Sequence, residues 1–187
     1  MQGLSIRWMS ALAATVAAAV LLSIGGASGQ ATNPTLTEFN RLAGEGRPAL
    51  ARVESFPNDG QVHVPTGTRV TYRTDPPTSG NHWERWVDPG RYGEVPPNEM
   101  LVHSLEHGHI VIYIERPTAE AVRLLTLWSN NWRGMWDGIV VVPRPGLGSG
   151  VILTAWGKML RQDAFDPAGA AAFIDAYRGR GPEHPMR

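Results

Sequence analysis

Long apolar runs alternate with helical patterns in the second half of the chain. Residues 110–114 and 139–142 are mainly β-branched and predict buried strands, and residues 151–156 predict a hairpin partner for the second run. Residues 118–132 repeat apolar side chains at helical spacing, and Pro167 is well placed as the first residue of a last helix. This order of elements predicts an α+β fold in which helices pack on a mostly antiparallel sheet.

The first half of the chain has a weaker pattern. A short helix is predicted from Thr35 through Leu42, and short strands are predicted at residues 61–64 and 69–72. Residues 75–98, the proline-rich segment, contain five prolines and three glycines, which exclude a helix or a central strand. Because this segment also carries two tryptophans and a tyrosine, we expect it to pack over the domain and to shape a pocket.

The N-terminus carries the clearest targeting signal. Arg7 precedes an apolar run at residues 8–24, and small residues follow at residues 25–31. This pattern is typical of a secretory signal peptide, and an uncleaved N-terminal membrane anchor is the alternative. We expect residues 1–31 to be this signal peptide or anchor, and residues 32–187 to be a single exported α+β domain in the periplasm or outside the cell.

Composition narrows the functional classes. The 187 residues carry 17 basic and 17 acidic side chains, so the formal net charge is zero and the basic excess of a nucleic-acid-binding protein is missing. Cysteine is absent, which excludes disulfides, thiolate metal sites and a lipid-modified cysteine. Any bound metal ion must therefore be held by His, Asp, Glu, Met or backbone groups.

The densest set of reactive side chains lies in the string His103-Ser-Leu-Glu106-His107-Gly108. We expect a helix of about two turns here, with Asn98 as its N-cap and Gly108 at its C-terminal end. His103 and His107 are four residues apart, which is the spacing that presents two imidazoles to one metal ion. Glu106 is placed to bind the ion, to orient an imidazole or to act as a general base.

Two catalytic interpretations of this region are open. His103-x-x-Glu106-His107 is the inverted zinc-peptidase pattern, in which the histidines bind zinc and Glu106 activates water for a metal-dependent hydrolase. Those peptidases have larger domains, however, and here the motif runs directly into a strand. Ser79 with His82 and Glu106 has the residue types of a serine-hydrolase triad, although no Gly-x-Ser-x-Gly elbow is present.

Four ordered motifs carry a family resemblance. They are Pro76-Pro77-Thr78-Ser79-Gly80-Asn81-His82-Trp83, Leu101-Val102-His103-Ser104-Leu105-Glu106-His107-Gly108, Leu153-Thr154-Ala155-Trp156-Gly157 and Gly181-Pro182-Glu183. With this combination the chain resembles the bacterial domain of unknown function 3105 family over most of its length. The resemblance implies an exported or membrane-anchored domain and no particular activity. Asn81 stands where the family pattern has proline, which leaves His82 in place.

We predict that the proline-rich segment, the short helix and the C-terminus bring their side chains together on one divalent transition-metal ion. The predicted ligands are His82, His103, His107, Glu106 and Glu183, with Met100 as a further candidate. Three imidazoles suit zinc, copper, iron or nickel, and the absence of thiolates argues against a purely structural zinc site. The chain has six methionines but no Met-x-x-Met cluster, which disfavours Cu(I) trafficking.

The alternative is a structural cluster in a non-catalytic envelope binding or scaffold module. Each histidine ring would then bond a backbone carbonyl and hold the proline-rich segment in place. We expect His63 and His109 to be surface or core residues rather than ligands. No nucleic-acid partner is expected, and membrane contact is expected only through the N-terminal segment. The sequence leaves the substrate and the identity of the metal open.

Overall fold

The computed structural model describes residues 34–187. Helices lie at Pro34–Glu45 (α1), Asn98–Glu106 (α2), Ala119–Asn131 (α3) and Pro167–Tyr177 (α4), and a 3-10 helix spans Arg47–Arg52. Strands lie at Glu54–Ser55 (β1), His63–Val64 (β2), His82–Trp83 (β3), Gly90–Arg91 (β4), Ile110–Ile114 (β5), Ile139–Pro143 (β6), Val151–Ala155 (β7) and Lys158–Gln162 (β8). Among the described residues, no helix has the length and hydropathy needed to cross a membrane. The predicted signal peptide or anchor at residues 1–31 lies outside the described residues.

Six strands form one mixed sheet in the order β1-β8-β7-β5-β6-β4. The central strand β5 runs parallel to β6, because α3 carries the chain back along the sheet between them. On its other edge β5 pairs with β7 in antiparallel orientation, and β7 pairs with β8 in the same way. The α+β class is therefore confirmed, but the sheet is less antiparallel than predicted, since β4 and β5 both run parallel to β6.

The predicted hairpin between residues 139–142 and 151–156 is wrong. Both edges of β6 are occupied, one by β5 and the other by β4, so β7 pairs with the free edge of β5 instead. β7 then forms a hairpin with β8, a strand that the sequence pattern did not indicate. Gly157 lies in the turn between them at a φ of 66°, a conformation that favours glycine.

Both faces of the sheet are covered, which explains why β5 and β6 are continuous apolar runs. Ile112 of β5 faces a hydrophobic cluster formed with α1, α3 and α4. Its neighbours Val111 and Tyr113 face a second cluster that includes Leu101 and Leu105 of α2. Helix α2 therefore packs against one face of the sheet, and the polar side chains of its C-terminal half are buried as well.

The remaining predictions of helices, strands and helix caps are partly correct. Residues 69–72 form no strand, because the amide of Val70 donates to the carboxylate of Glu99 rather than to a neighbouring strand. The N-cap of α2 is Pro97, so the predicted N-cap at Asn98 is wrong. The four predicted helices are present, and the proline-rich segment contains only the two-residue strands β3 and β4 before α2 begins.

Candidate metal centre

Helix α2 carries His103, Glu106 and His107 into the layer between the sheet and the proline-rich segment. Each of these residues is at most 4% exposed. The helix ends in a Schellman motif in which Gly108 has a φ of 94°, as predicted for a glycine at this helix end. The imidazole centroids of His103 and His107 lie 4.7 Å apart, as the four-residue spacing requires.

The proline-rich segment lies over α2 and delivers His82. Ser104 of α2 fastens it, because its hydroxyl donates to the carbonyl of Val87 and accepts from the amide of Val87, both at 2.9 Å. Strand β3 also pairs in parallel with β2, which places His82 beside His63 in register. Two histidines from separate segments thus meet the helix at one place.

The first cluster, the Glu106 group, consists of His63, His82, His103 and Glu106. One ligand atom from each residue lies within 4.8 Å of the ligand atoms of the others. Oε2 of Glu106 is 3.0 Å from Nε2 of His82 and 3.6 Å from Nε2 of His63. The three imidazole centroids form a nearly equilateral triangle with sides of 4.8 to 4.9 Å. This arrangement can surround one metal ion with three nitrogens and one oxygen.

The second cluster, the Glu183 group, consists of His103, His107 and Glu183. Oε2 of Glu183 is 3.1 Å from Nε2 of His107 and 4.0 Å from Nε2 of His103. The side chain of Glu183 is 38% exposed, whereas both histidines are buried. The ring of His107 is held between Trp86 and Trp136, at centroid distances of 4.6 and 4.4 Å.

The C-terminal strap, residues 179–183, positions Glu183 over His107. The amide of Glu183 donates to the carbonyl of Glu106 at 3.4 Å. A β-carbon at Gly181 would lie only 2.0 Å from the same carbonyl oxygen, so only glycine permits this approach. The strap therefore lies directly on the end of α2.

Backbone carbonyls determine which ring nitrogen faces the clusters. Nδ1 of His82, His103 and His107 contacts a carbonyl oxygen at 2.8, 2.7 and 3.1 Å, respectively. The accepting carbonyls are those of Gly80, Trp83 and Met135. Because a carbonyl can only accept, each Nδ1 carries a proton, and in the neutral ring the lone pair is therefore on Nε2. Metal-binding histidines are commonly oriented in this way.

The electrostatics of the two groups favour binding of a cation. Burial lowers the pKa of His103 to about 4 and also lowers the pKa of His107. Burial alone would raise the pKa of Glu106, but its hydrogen bond to His82 and the neighbouring histidines outweigh this, so its pKa lies below the usual value. Neutral imidazoles and ionised carboxylates are the forms that bind metal ions.

His82 shows why a positive charge belongs in the Glu106 group. Its Nδ1 faces the carbonyl of Gly80, its Nε2 faces the carboxylate of Glu106, and the residue is fully buried. A neutral imidazole donates only one N–H, so the contact with Glu106 requires a proton or a metal ion between the two groups. An uncompensated carboxylate in this place would be costly.

The structure divides the predicted ligands between two groups. His82, His103 and Glu106 lie in the Glu106 group, whereas His107 and Glu183 share the second group with His103. His63, expected to be a surface or core residue, is 43% exposed at its side chain and directs Nε2 toward Glu106. The sequence around His63 does not indicate that its ring lies near Glu106, because this position depends on the pairing of two short strands that are distant in the chain.

Other candidate residues have different surroundings. The hydroxyl of Ser79 bonds two backbone groups, and both ring nitrogens of His82 are engaged elsewhere, so the geometry does not form a serine-hydrolase pair. His109 belongs to neither group; its Nε2 contacts the carbonyl of Met135 at 2.8 Å. Met100 packs against the second hydrophobic cluster.

Comparison with known proteins supports the family resemblance. The family model described as "Protein of unknown function (DUF3105)" matches residues 63–187, which is more than half of the chain. The matched range includes every residue of the two groups, from His63 to Glu183. No curated protein and no solved structure gives a significant match. The chain therefore belongs to DUF3105, a family of proteins of unknown function.

Proposed function

We propose that this chain is an exported domain that binds one divalent transition-metal ion, with the Glu106 group as its principal site. The observation that carries the proposal is the orientation of His82 and His103. Each ring places Nδ1 against a backbone carbonyl, which leaves Nε2 as the nitrogen that can bind a metal ion in the group that contains the buried carboxylate of Glu106. Export is supported by the N-terminal pattern, and mass spectrometry of the secreted protein tests whether that segment is removed.

The donor set selects a class of metal ion. The Glu106 group offers three imidazole nitrogens and one carboxylate oxygen, and the chain has no thiolate. Such ligands suit zinc, copper(II) and iron(II), whereas copper(I) prefers thiolates and thioethers. Copper(II) should bind more tightly than zinc, because affinities for a given site rise toward copper in the first transition series.

Titration of the full chain, purified without a polyhistidine tag, tests the proposal. Zinc, copper(II) and anaerobic iron(II) are added to chelator-treated protein, and we expect one ion per chain. Glu106→Gln and His63→Ala should each weaken zinc binding by at least about tenfold, since each removes a ligand. His184→Ala is the matched control, because this exposed imidazole lies outside both groups. Sub-stoichiometric metal under all three conditions would refute metal binding.

The structural alternative predicts a different result. If the histidines only hold the proline-rich segment in place, His103→Ala lowers the melting temperature equally with and without chelator. If a metal ion is bound, the wild-type protein loses stability on chelation and His103→Ala removes most of that difference.

A hydrolase is the second candidate function, and the Glu183 group is the observation that favours it. Two histidines with one glutamate form the donor set of several catalytic zinc sites, and Glu106, the residue before His107 in the chain, is the candidate general base. In this case Glu106→Gln keeps the metal ion and loses turnover. In the principal proposal the same substitution weakens metal binding by at least about tenfold, so one variant separates the two functions.

A further inference from the structure

The two groups share one residue, His103. Nδ1 of His103 contacts the carbonyl of Trp83 at 2.7 Å and therefore carries the proton. Nε2 then holds the only lone pair of the ring that can bind a metal ion, and one lone pair binds one ion at a time. The two groups therefore cannot both be complete at the same moment.

We infer that the two groups are two positions of a single exchanging ion, with Nε2 of His103 as the ligand common to both. This inference rests on the proposed metal-binding function and adds a route for the ion. In the route, the ion is first held at His107 and Glu183, then gains His103, and then passes to the Glu106 group. The domain would then take up and release the ion rather than keep it as a permanent structural element.

The two groups differ in the number and the exposure of their ligands, as such a route requires. The Glu106 group has four ligands, three of them from buried residues, and so holds the ion more tightly. The Glu183 group has three, and Glu183 is 38% exposed on the C-terminal strap, where an ion can exchange ligands with solvent or with an acceptor. An ion moving through His103 replaces one ligand at a time, which avoids the loss of several ligands in one step.

Two ions bound at once are disfavoured by the same geometry. The ligand atoms of each group lie within 4.8 Å of one another and both groups include His103, so two dications would be only a few ångströms apart. Their repulsion would be large in this buried place. The expected stoichiometry is therefore one ion per chain, although seven side-chain positions are available when the groups are counted separately.

Zinc transfer kinetics test the inference on the full chain. Wild type, Glu183→Gln and Glu120→Gln are loaded with one equivalent of zinc and mixed with an excess of a chromophoric chelator in a stopped-flow instrument. Glu120 is the matched control, because it is an exposed glutamate outside both groups. We expect Glu183→Gln to slow both loading and release by about tenfold, the effect of a modestly higher barrier. Its equilibrium affinity should stay within about threefold of wild type, because the ion rests in the Glu106 group.

The outcomes separate this inference from the function on which it rests. An unchanged transfer rate in Glu183→Gln would overturn the route and leave the Glu106 group as an isolated site. Two zinc ions per wild-type chain, with one lost in Glu183→Gln, would also overturn it, because the groups would then be independent. If the wild type binds none of zinc, copper(II) and iron(II), the proposed function itself is refuted instead.

Discussion

Substitution of Gly181 by alanine is the sharpest structural test of how the C-terminal strap supports the candidate site. The backbone of Gly181 is outside the positive-φ region, so alanine is acceptable there on conformational grounds. The added methyl group, however, would lie 2.0 Å from the carbonyl oxygen of Glu106 and 2.2 Å from the amide nitrogen of Gly108. The effect of the substitution therefore comes from contact alone.

The expected loss of stability in Gly181→Ala follows from these distances. Because carbon atoms essentially never approach oxygen closer than 3.0 Å, the strap must move by about 1 Å or more. Overpacking of this kind costs about 1–3 kcal/mol. For a domain of this size we expect a fall in Tm of about 2–12 °C. The same movement would stretch the contact of 3.1 Å between Glu183 and His107.

Urea unfolding followed by tryptophan fluorescence measures the change, since the chain has seven tryptophans. Gly44→Ala is the matched control with the opposite expected sign. It lies in α1 with no atom within 4 Å of the added methyl group, so alanine should stabilise the helix by about 0.4–1 kcal/mol. Zinc release from Gly181→Ala should also slow, as in Glu183→Gln.

A Gly181→Ala protein as stable as wild type would refute the close approach of the strap to α2. A destabilised protein with wild-type zinc transfer would keep the packing argument but remove the link between the strap and the metal route. Either result is informative because Gly44→Ala controls for the general effect of replacing glycine by alanine.

Two further predictions concern the same layer. Ser104→Ala leaves the amide and the carbonyl of Val87 without their partner. Urea unfolding should therefore show a free energy of unfolding lower by about 1–3 kcal/mol. A decrease below about 0.5 kcal/mol would contradict the role of this contact. Burial lowers the pKa of His109 to about 4, below its value of about 6.5 in the unfolded chain. Between these two pKa values the unfolded state binds more protons, so the stability of the folded state falls as the pH decreases from about 6.5 to about 4. In metal-free protein, the free energy of unfolding should decrease between pH 7 and pH 5 by about 2 kcal/mol less in His109→Gln than in the wild type. Equal decreases in both proteins would show that His109 is not the source of this pH dependence.

The local sequence pattern predicted the helices and the central strands, but it did not predict which strands pair with each other. Strand β5 and helices α3 and α4 follow from apolar periodicity, since side-chain spacing reports which face is buried. The same periodicity does not report which strand lies beside which. The hairpin predicted for β7 was wrong for this reason, because β4 and β5 already occupy both edges of β6.

The sequence by itself determined the half of the candidate site that lies on α2. His103, Glu106 and His107 are close in the chain, and helix geometry alone brings them to one surface. Only the tertiary structure decided that His63 joins His82 and that Glu183 reaches His107, since these depend on the pairing of β2 with β3 and on the passage of the strap over Gly108. Such contacts arise from long-range packing of the backbone, and no periodicity of the side chains records them.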